Sequence, residues 1–285
     1  MPAKSKLGQN FLRDHQAIRR IVAAIGDCSG QTVIEIGPGR GAITRELAMK
    51  AGRVIALEVD QSLAAQLSAD FSQAGSASEG RVLIETMDVL AYDFEAAARD
   101  ANGKLIIVGN LPYYITSPIL TKLANSANVL DRGVLMVQRE VAARVTAKPG
   151  SREYGLLSAT VQMHGMVEPL FTLPPNAFSP PPEVHSTVFR WRFAARFDEL
   201  GVDRDGFLEF LRRVFALKRK TLANNLRAAG MQTSTIGKVL AAAGIDAKAR
   251  AEELSVESLA GLWRILQSGE GISVGEMPSS DRSRS

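Results

Sequence analysis

The chain has 285 residues, of which 46% are hydrophobic, 22% charged and 6% aromatic, with a formal net charge of +4. That balance excludes a disordered or collagenous chain, and no apolar run approaches the ~18–20 residues needed to cross a bilayer. One cysteine, Cys28, excludes an internal disulfide and any multi-cysteine metal centre, and the three histidines (His15, His164, His185) stand in no metal-ligand spacing. No protein-built metal site is expected. The basic start, Met1-Pro2-Ala3-Lys4-Ser5-Lys6, lacks the apolar stretch of a secretory signal, so a cytoplasmic protein is expected.

Cations gather in two places. Lys4, Lys6, Arg13, Arg19 and Arg20 face only Asp14 at the start of the chain, and Arg212-Arg213 and Lys218-Arg219-Lys220 cluster further on. Such patches suit a polyphosphate partner, or they are solvated helix faces.

Taken in chain order, short apolar and β-branched runs predict strands over 32–37, 53–60, 81–88, 104–110 and 133–139. Helix-patterned segments lie around 41–51, 61–71, 93–100, 117–127 and 139–147. Apolar strands alternating with helices predict a parallel sheet covered on both faces, the α/β class. After Pro149-Gly150, two further strands are expected over 158–172 and 186–193. A proline-rich loop, 174–182, joins them and is shaped by its prolines rather than paired. From 205 onward only amphipathic helices are predicted, over 205–218, 222–229, 234–243 and 255–267. The expected organisation is an α/β domain over 1–195, a small helical domain over 196–267, and a disordered tail over 268–285, rich in Ser, Gly and Glu.

The first strand runs into Gly37-Pro38-Gly39-Arg40-Gly41 and then a helix, an arrangement that offers free N–H groups and close backbone approach to a nucleotide. Glu58 ends the second strand about twenty residues later, where a carboxylate can accept hydrogen bonds from ribose hydroxyls. Asp88 ends the third predicted strand and could accept from an adenine amine. The dinucleotide pattern G-x-G-x-x-G fails at Ala42. Glu35-Ile36-Gly37-Pro38-Gly39-Arg40-Gly41 instead resembles the S-adenosylmethionine loop of class I methyltransferases, so the expected fold is Rossmann-like and the expected cofactor is S-adenosylmethionine.

The fourth strand ends in Asn110-Leu111-Pro112-Tyr113, at a position that faces the ligand crevice of an open α/β sheet. An exocyclic aromatic amine has its lone pair delocalised into the ring. Acceptors on its hydrogens, the Asn110 side-chain oxygen and the Leu111 carbonyl, would localise that pair toward a methyl donor. Pro112 stiffens the turn and Tyr113 offers a face to the base. A base taken from a large nucleic acid must be flipped or already unstacked. Phe178, in Asn176-Ala177-Phe178-Ser179-Pro180-Pro181-Pro182, is either a second stacking face, contributing about 1–3 kcal/mol, or a core residue that tucks the loop down.

Lys6-Leu7-Gly8-Gln9-Asn10-Phe11-Leu12 and the three motifs around Gly37, Asn110 and Phe178 occur in one order. Together they resemble the ribosomal RNA adenine N6,N6-dimethyltransferases, most closely the bacterial small-subunit branch, over roughly residues 5–265. The resemblance implies two methyl groups on each of two adjacent adenosines, in a hairpin loop near the 3′ end of small-subunit (16S) rRNA. It also implies action on the assembling small subunit. By position, Asn10, Leu12, Gly37, Gly39, Glu58, Asp88 and Asn110 correspond to cofactor contacts, and Asn110, Leu111, Pro112, Tyr113 and Phe178 to the target-base pocket. Arg212, Arg213, Lys218, Arg219 and Lys220 would bind RNA, and the protein is expected to be a monomer. Glu183 and His185 depart from the basic residue and aspartate frequent at those positions. A DNA adenine methyltransferase, a non-catalytic assembly factor and a nicotinamide-dependent oxidoreductase remain as rivals. The first lacks a separate target-recognition domain here, and the last lacks a proton donor near the crevice.

Overall fold

The computed structural model describes residues 10–72 and 81–268. Its elements run β1 (Phe11–Leu12), α1 (His15–Ile25), β2 (Thr32–Ile36), α2 (Ala42–Ala48), β3 (Arg53–Glu58), α3 (Gln61–Phe71), β4 (Val82–Thr86) and α4 (Phe94–Asp100). They continue with β5 (Leu105–Asn110), a 3₁₀ turn (Tyr113–Ile115), α5 (Thr116–Asn125), β6 (Leu130–Gln138), α6 (Arg139–Val145), α7 (Leu156–Met163), β7 (Gly165–Leu173), a 3₁₀ turn (Pro175–Ala177), β8 (Phe178–Ser179) and β9 (Ser186–Phe193). The remaining helices are α8 (Phe197–Leu200), α9 (Arg204–Val214), α10 (Leu222–Ala228), α11 (Thr233–Ala242) and α12 (Val256–Ser268). No helix among the described residues is long and apolar enough to cross a membrane.

The chain divides into two compact units, one made of residues up to 146 together with 164–195, the other of 147–163 together with 196 onward. In the first, seven strands form a sheet in the order β4-β3-β2-β5-β6-β9-β7. The strands from β4 to β6 are parallel, and β9 runs antiparallel to both β6 and β7, so the sheet is mixed rather than wholly parallel. Chain order reverses direction between β2 and β5, and the crevice beyond their carboxyl ends is where such sheets take ligands. There Gly109 faces Ile36 so closely that a Cβ would lie 2.7 Å from the Ile36 carbonyl oxygen, which requires glycine.

Val33, Val54, Ile106, Val108, Val134, Met136 and Val188 share one apolar cluster with Ile18, Ile21, Val22 and Ile25 of α1 and Ile43 and Leu47 of α2. Helix α1 begins where the Asp14 carboxylate accepts from the N–H groups of Gln16 and Ala17, and its buried residues 17, 18, 21, 22 and 25 follow the helical period. Phe178, 1% exposed, belongs to this same cluster. Its strand β8 pairs with β1, setting Leu12 opposite Phe178 and Phe11 opposite Ser179. The stacking reading of Phe178 is thereby corrected: the ring is a core side chain that holds the proline-rich loop down, and it presents no open face.

The strand expected over 158–172 is split. Residues 156–163 are helical because Ala159 and Met163 pack among Phe207, Leu211 and Leu259 of the second unit, and this packing overrides the β-branched local sequence. Gly165, at φ +150°, then begins β7 against β9, where a Cβ would collide with the Arg192 carbonyl. For the same reason residues 147–163 group with the second unit, whereas the sequence pattern predicts a first domain unbroken to 195. Helix α12 includes Ser268, and the rest of the tail expected to be disordered lies outside the described residues, as do Lys4 and Lys6.

Candidate active site

A cavity of about 220 Å³ opens beyond the carboxyl ends of β2, β3 and β5. Among the residues lining it are Asn10, Leu12, Gly37, Gly39, Glu58, Asp88, Asn110, Leu111, Pro112 and Tyr113, so ten positions scattered from 10 to 113 in the sequence meet in one place. Phe178 is not among them.

The glycine turn after β2 is shaped by Glu58, which is 3% exposed. One carboxylate oxygen accepts from the Gly39 N–H at 3.0 Å and the other from the Asp60 N–H at 3.0 Å. Each oxygen retains a further lone pair for a ligand hydroxyl. Gly39 itself has φ +55°, and the Phe11 ring lies 2.9 Å from where its Cβ would be, so a side chain there would displace Phe11. The Arg40 guanidinium lies over this aromatic, 4.5 Å from the ring centre. Asp88 stands in the loop after β4 rather than on the strand. One of its carboxylate oxygens accepts from the Leu90 N–H at 2.9 Å, and its exposed side chain keeps capacity for a ligand amine.

Asn110 closes β5. Its amide nitrogen donates to the Asn10 carbonyl at 3.1 Å, which fixes which end of the amide is oxygen. That oxygen is buried and has no hydrogen-bond partner. An unpaired buried acceptor costs about 1–3 kcal/mol, a cost that a ligand N–H would relieve. The next residue, Leu111, is 1% exposed and donates its N–H to the Met136 carbonyl at 2.9 Å. Pro112 accepts at its carbonyl from the Ile115 N–H and the Thr116 hydroxyl, so the turn carrying Tyr113 is held from behind.

Glu35 lies within the glycine motif, but the sequence alone marks no role for it. It lines the cavity at 2% exposure, and one of its carboxylate oxygens has no partner. Burial, with a smaller push from the Glu58 charge and an opposing effect of Thr44, raises its pKa from 4.5 to about 7. A charged residue inside an otherwise apolar strand was the available signal. Two buried carboxyl groups and an orphaned amide oxygen suit a cationic ligand bearing hydroxyl and amino groups, and S-adenosylmethionine is such a ligand.

In the second unit the five cations divide. Arg212 and Arg213, in the last turn of α9, both pair with Glu209, at 3.1 Å each. Lys218, Arg219 and Lys220 are exposed on the turn between α9 and α10, with no carboxylate in ion-pair range among the described residues. Asn225, 2% exposed, anchors the start of that turn by accepting from the Leu217 N–H at 2.8 Å and donating to the Leu217 carbonyl at 3.3 Å.

Comparison with known proteins agrees with this geometry. The family model described as ribosomal RNA adenine dimethylase matches residues 2–268. A ribosomal RNA small subunit methyltransferase A from Acidobacterium capsulatum is 55% identical over 264 residues, covering 93% of this chain and 91% of that one. Its counterpart from Koribacter versatilis is 46% identical over 277 residues, covering 93% and 95%. In three dimensions, a dimethyladenosine transferase from Plasmodium falciparum superposes with a TM-score of 0.77 at 22% identity, over 91% of this chain and 98% of that one. The 23S rRNA methyltransferase ErmE gives 0.69 at 24%, over 90% and 100%. These two structures establish the Rossmann-like fold with its helical addition.

Glu35 yields a pH-dependent prediction. Because its folded pKa lies above the unfolded value, the unfolded chain releases this proton first. Stability therefore falls as pH rises from about 4.5 to 7, by on the order of 3 kcal/mol in full. Glu35→Gln should stabilise the ligand-free protein in urea denaturation at pH 8 and leave it nearly unchanged at pH 4.5. An equal effect at both pH values would overturn the assignment.

Proposed function

Because the chain belongs to the ribosomal RNA adenine dimethylase family, we propose that it transfers methyl groups from S-adenosylmethionine to the N6 atoms of two adjacent adenosines in a hairpin loop near the 3′ end of small-subunit rRNA. Its working partner is then the assembling small ribosomal subunit, met in the cytoplasm by a monomer. The observation that carries the reading is the buried Asn110 oxygen, unpartnered beside the Leu111-Pro112-Tyr113 turn.

When bound, the cofactor supplies an electrophilic sulfonium methyl group. Glu58 receives the ribose hydroxyls, Asp88 the adenine amine, and the backbone around Gly37 and Gly39, with Asn10 and Leu12, closes over the rest. The target adenine lies against Tyr113, with its N6 hydrogens directed to the Asn110 oxygen and the Leu111 carbonyl. As N6 pyramidalises, these acceptors hold its lone pair in line with the methyl group, and the ammonium-like product then sheds its proton without a strong base. In the helical unit, Lys218, Arg219 and Lys220 meet RNA phosphates, with Arg212 and Arg213 as a secondary contact already half-neutralised by Glu209.

The direct test incubates the protein and labelled S-adenosylmethionine with small subunits lacking these modifications, with their naked rRNA and with duplex DNA. N6,N6-Dimethyladenosine in the rRNA, identified by mass spectrometry, is the expected product. Label in DNA alone would transfer the protein to the DNA-modifying class, and tight binding without label would favour an assembly factor.

Four variants refine this. Asn110→Ala should fold normally and lower kcat by at least ~10²-fold through the missing transition-state acceptor, and turnover near that of the parent would remove Asn110 from the chemistry. Glu58→Ala should act chiefly on cofactor affinity in isothermal titration calorimetry, and an unaltered Kd contradicts the ribose assignment. Replacing Lys218, Arg219 and Lys220 with Gln should flatten the salt dependence of RNA binding by about 0.7–0.9 log unit for each phosphate no longer neutralised. The Arg212→Gln, Arg213→Gln pair should flatten it less, and equal slopes would contradict the division between free and paired cations.

A further inference from the structure

The Tyr113 ring is held at both ends. Its backbone sits in a 3₁₀ turn behind Pro112, whose carbonyl takes the Ile115 N–H at 3.2 Å and the Thr116 hydroxyl at 2.9 Å. At the far end of the ring, the phenolic oxygen lies 2.7 Å from the Ser186 hydroxyl. Ser186 is the first residue of β9, fully buried, in register with Gln138 of β6 on one side and Leu173 of β7 on the other. Pairing on both edges makes its Cβ a fixed point of the sheet, and a buried serine hydroxyl is stable only with a hydrogen-bond partner. Tyr114, one residue along the same turn, stands 59% exposed at the cavity rim.

We propose that Ser186 is a positioning residue for methyl transfer: its hydroxyl fixes where the long axis of the Tyr113 ring points and so the place of the face against which the base is laid. This rests on the reading of Tyr113 as the base-facing side chain. A tyrosine on a short turn has two free side-chain torsions; a tether at the ring's tip fixes the first, which aims the ring, and restrains the second only through the in-plane preference of the phenol hydrogen bond. Orientation matters here because in-line transfer tolerates little misalignment, a displacement of about 1 Å costing up to ~10²-fold in rate. The tethered phenol is not an acid or base in the reaction. Burial moves its pKa above the ordinary tyrosine value of 10, so it stays protonated through the neutral range.

The test measures kcat and KM on undermethylated small subunits, the ratio of mono- to dimethyladenosine, and cofactor Kd by calorimetry. It compares Ser186→Ala, Tyr113→Phe, their combination and Tyr113→Ala. Ser186→Ala and Tyr113→Phe each remove the same bond, so each should lower kcat about tenfold and accumulate monomethyl product. The double variant should be no slower than either single one, with cofactor Kd unchanged throughout. Should Ser186→Ala fail to fold, Tyr113→Phe decides alone, since it leaves the sheet untouched. If Tyr113→Phe turns over at the parent rate while Tyr113→Ala collapses, the tether is overturned and the base-facing role of Tyr113 survives. If Tyr113→Ala is itself fully active, that role falls and the tether falls with it.

Discussion

The Glu58 carboxylate bridges two backbone amides that belong to different loops, Gly39 after β2 and Asp60 after β3. Both loops leave parallel strands at the same end of the sheet, and the carboxylate ties one to the other. The bridge sets the glycine turn at positive φ, which brings Gly39 under Phe11 and leaves space beside Ile36 and Asn110. Charge-assisted bonds from a buried carboxylate are stronger than neutral ones, so the cavity wall is defined before any ligand arrives. Everything proposed for the cofactor depends on that wall.

The two units use charge in opposite ways. In the first, Glu35 and Glu58 bury carboxyl groups in a cavity, at a cost in stability for Glu35, and so favour a cationic occupant. In the second, Lys218, Arg219 and Lys220 stand on a turn whose first residues a buried asparagine anchors, hydrated and unpaired by carboxylates among the described residues. Burial makes the first interaction selective for one small molecule. Exposure suits the second to a long-ranged, salt-sensitive contact indifferent to sequence, the kind proposed for an RNA backbone.

Much of this was legible in the amino-acid order. Strands β2, β3 and β5 read clearly because Val, Ile and Leu dominate them where a parallel sheet is covered on both faces, with Glu35 the one charge inside β2, and the spacing from Gly37 to Glu58 follows from one strand–helix–strand crossover. Phe178 could not be placed by local pattern, since a phenylalanine in a proline-rich loop reads alike as platform or plug. Its burial depends on Leu12 and Ala17, far away in sequence. Residues 156–163 are illegible for a related reason: their helix is stabilised by packing against Phe207 and Leu259, which no window of neighbours contains. Helix α1 is different. Its cap at Asp14 and its apolar period are both written in the sequence, but Arg19 and Arg20 mark the same stretch as a basic patch and mask the helical signal.

The two-residue pairing of β1 with β8 has a consequence in time. Phe11 and Leu12 form part of the cavity, yet they are held there by Ser179 and Phe178. At synthesis rates of about 5–20 residues per second, those partners follow the first residues by roughly 10–30 s. Throughout that interval the growing chain can form β2 and β3 but cannot close the roof above them. The cavity proposed for the cofactor is therefore completed late, after more than half of the polypeptide has been made, and a truncated chain that ends before β8 would carry the glycine turn without its cover.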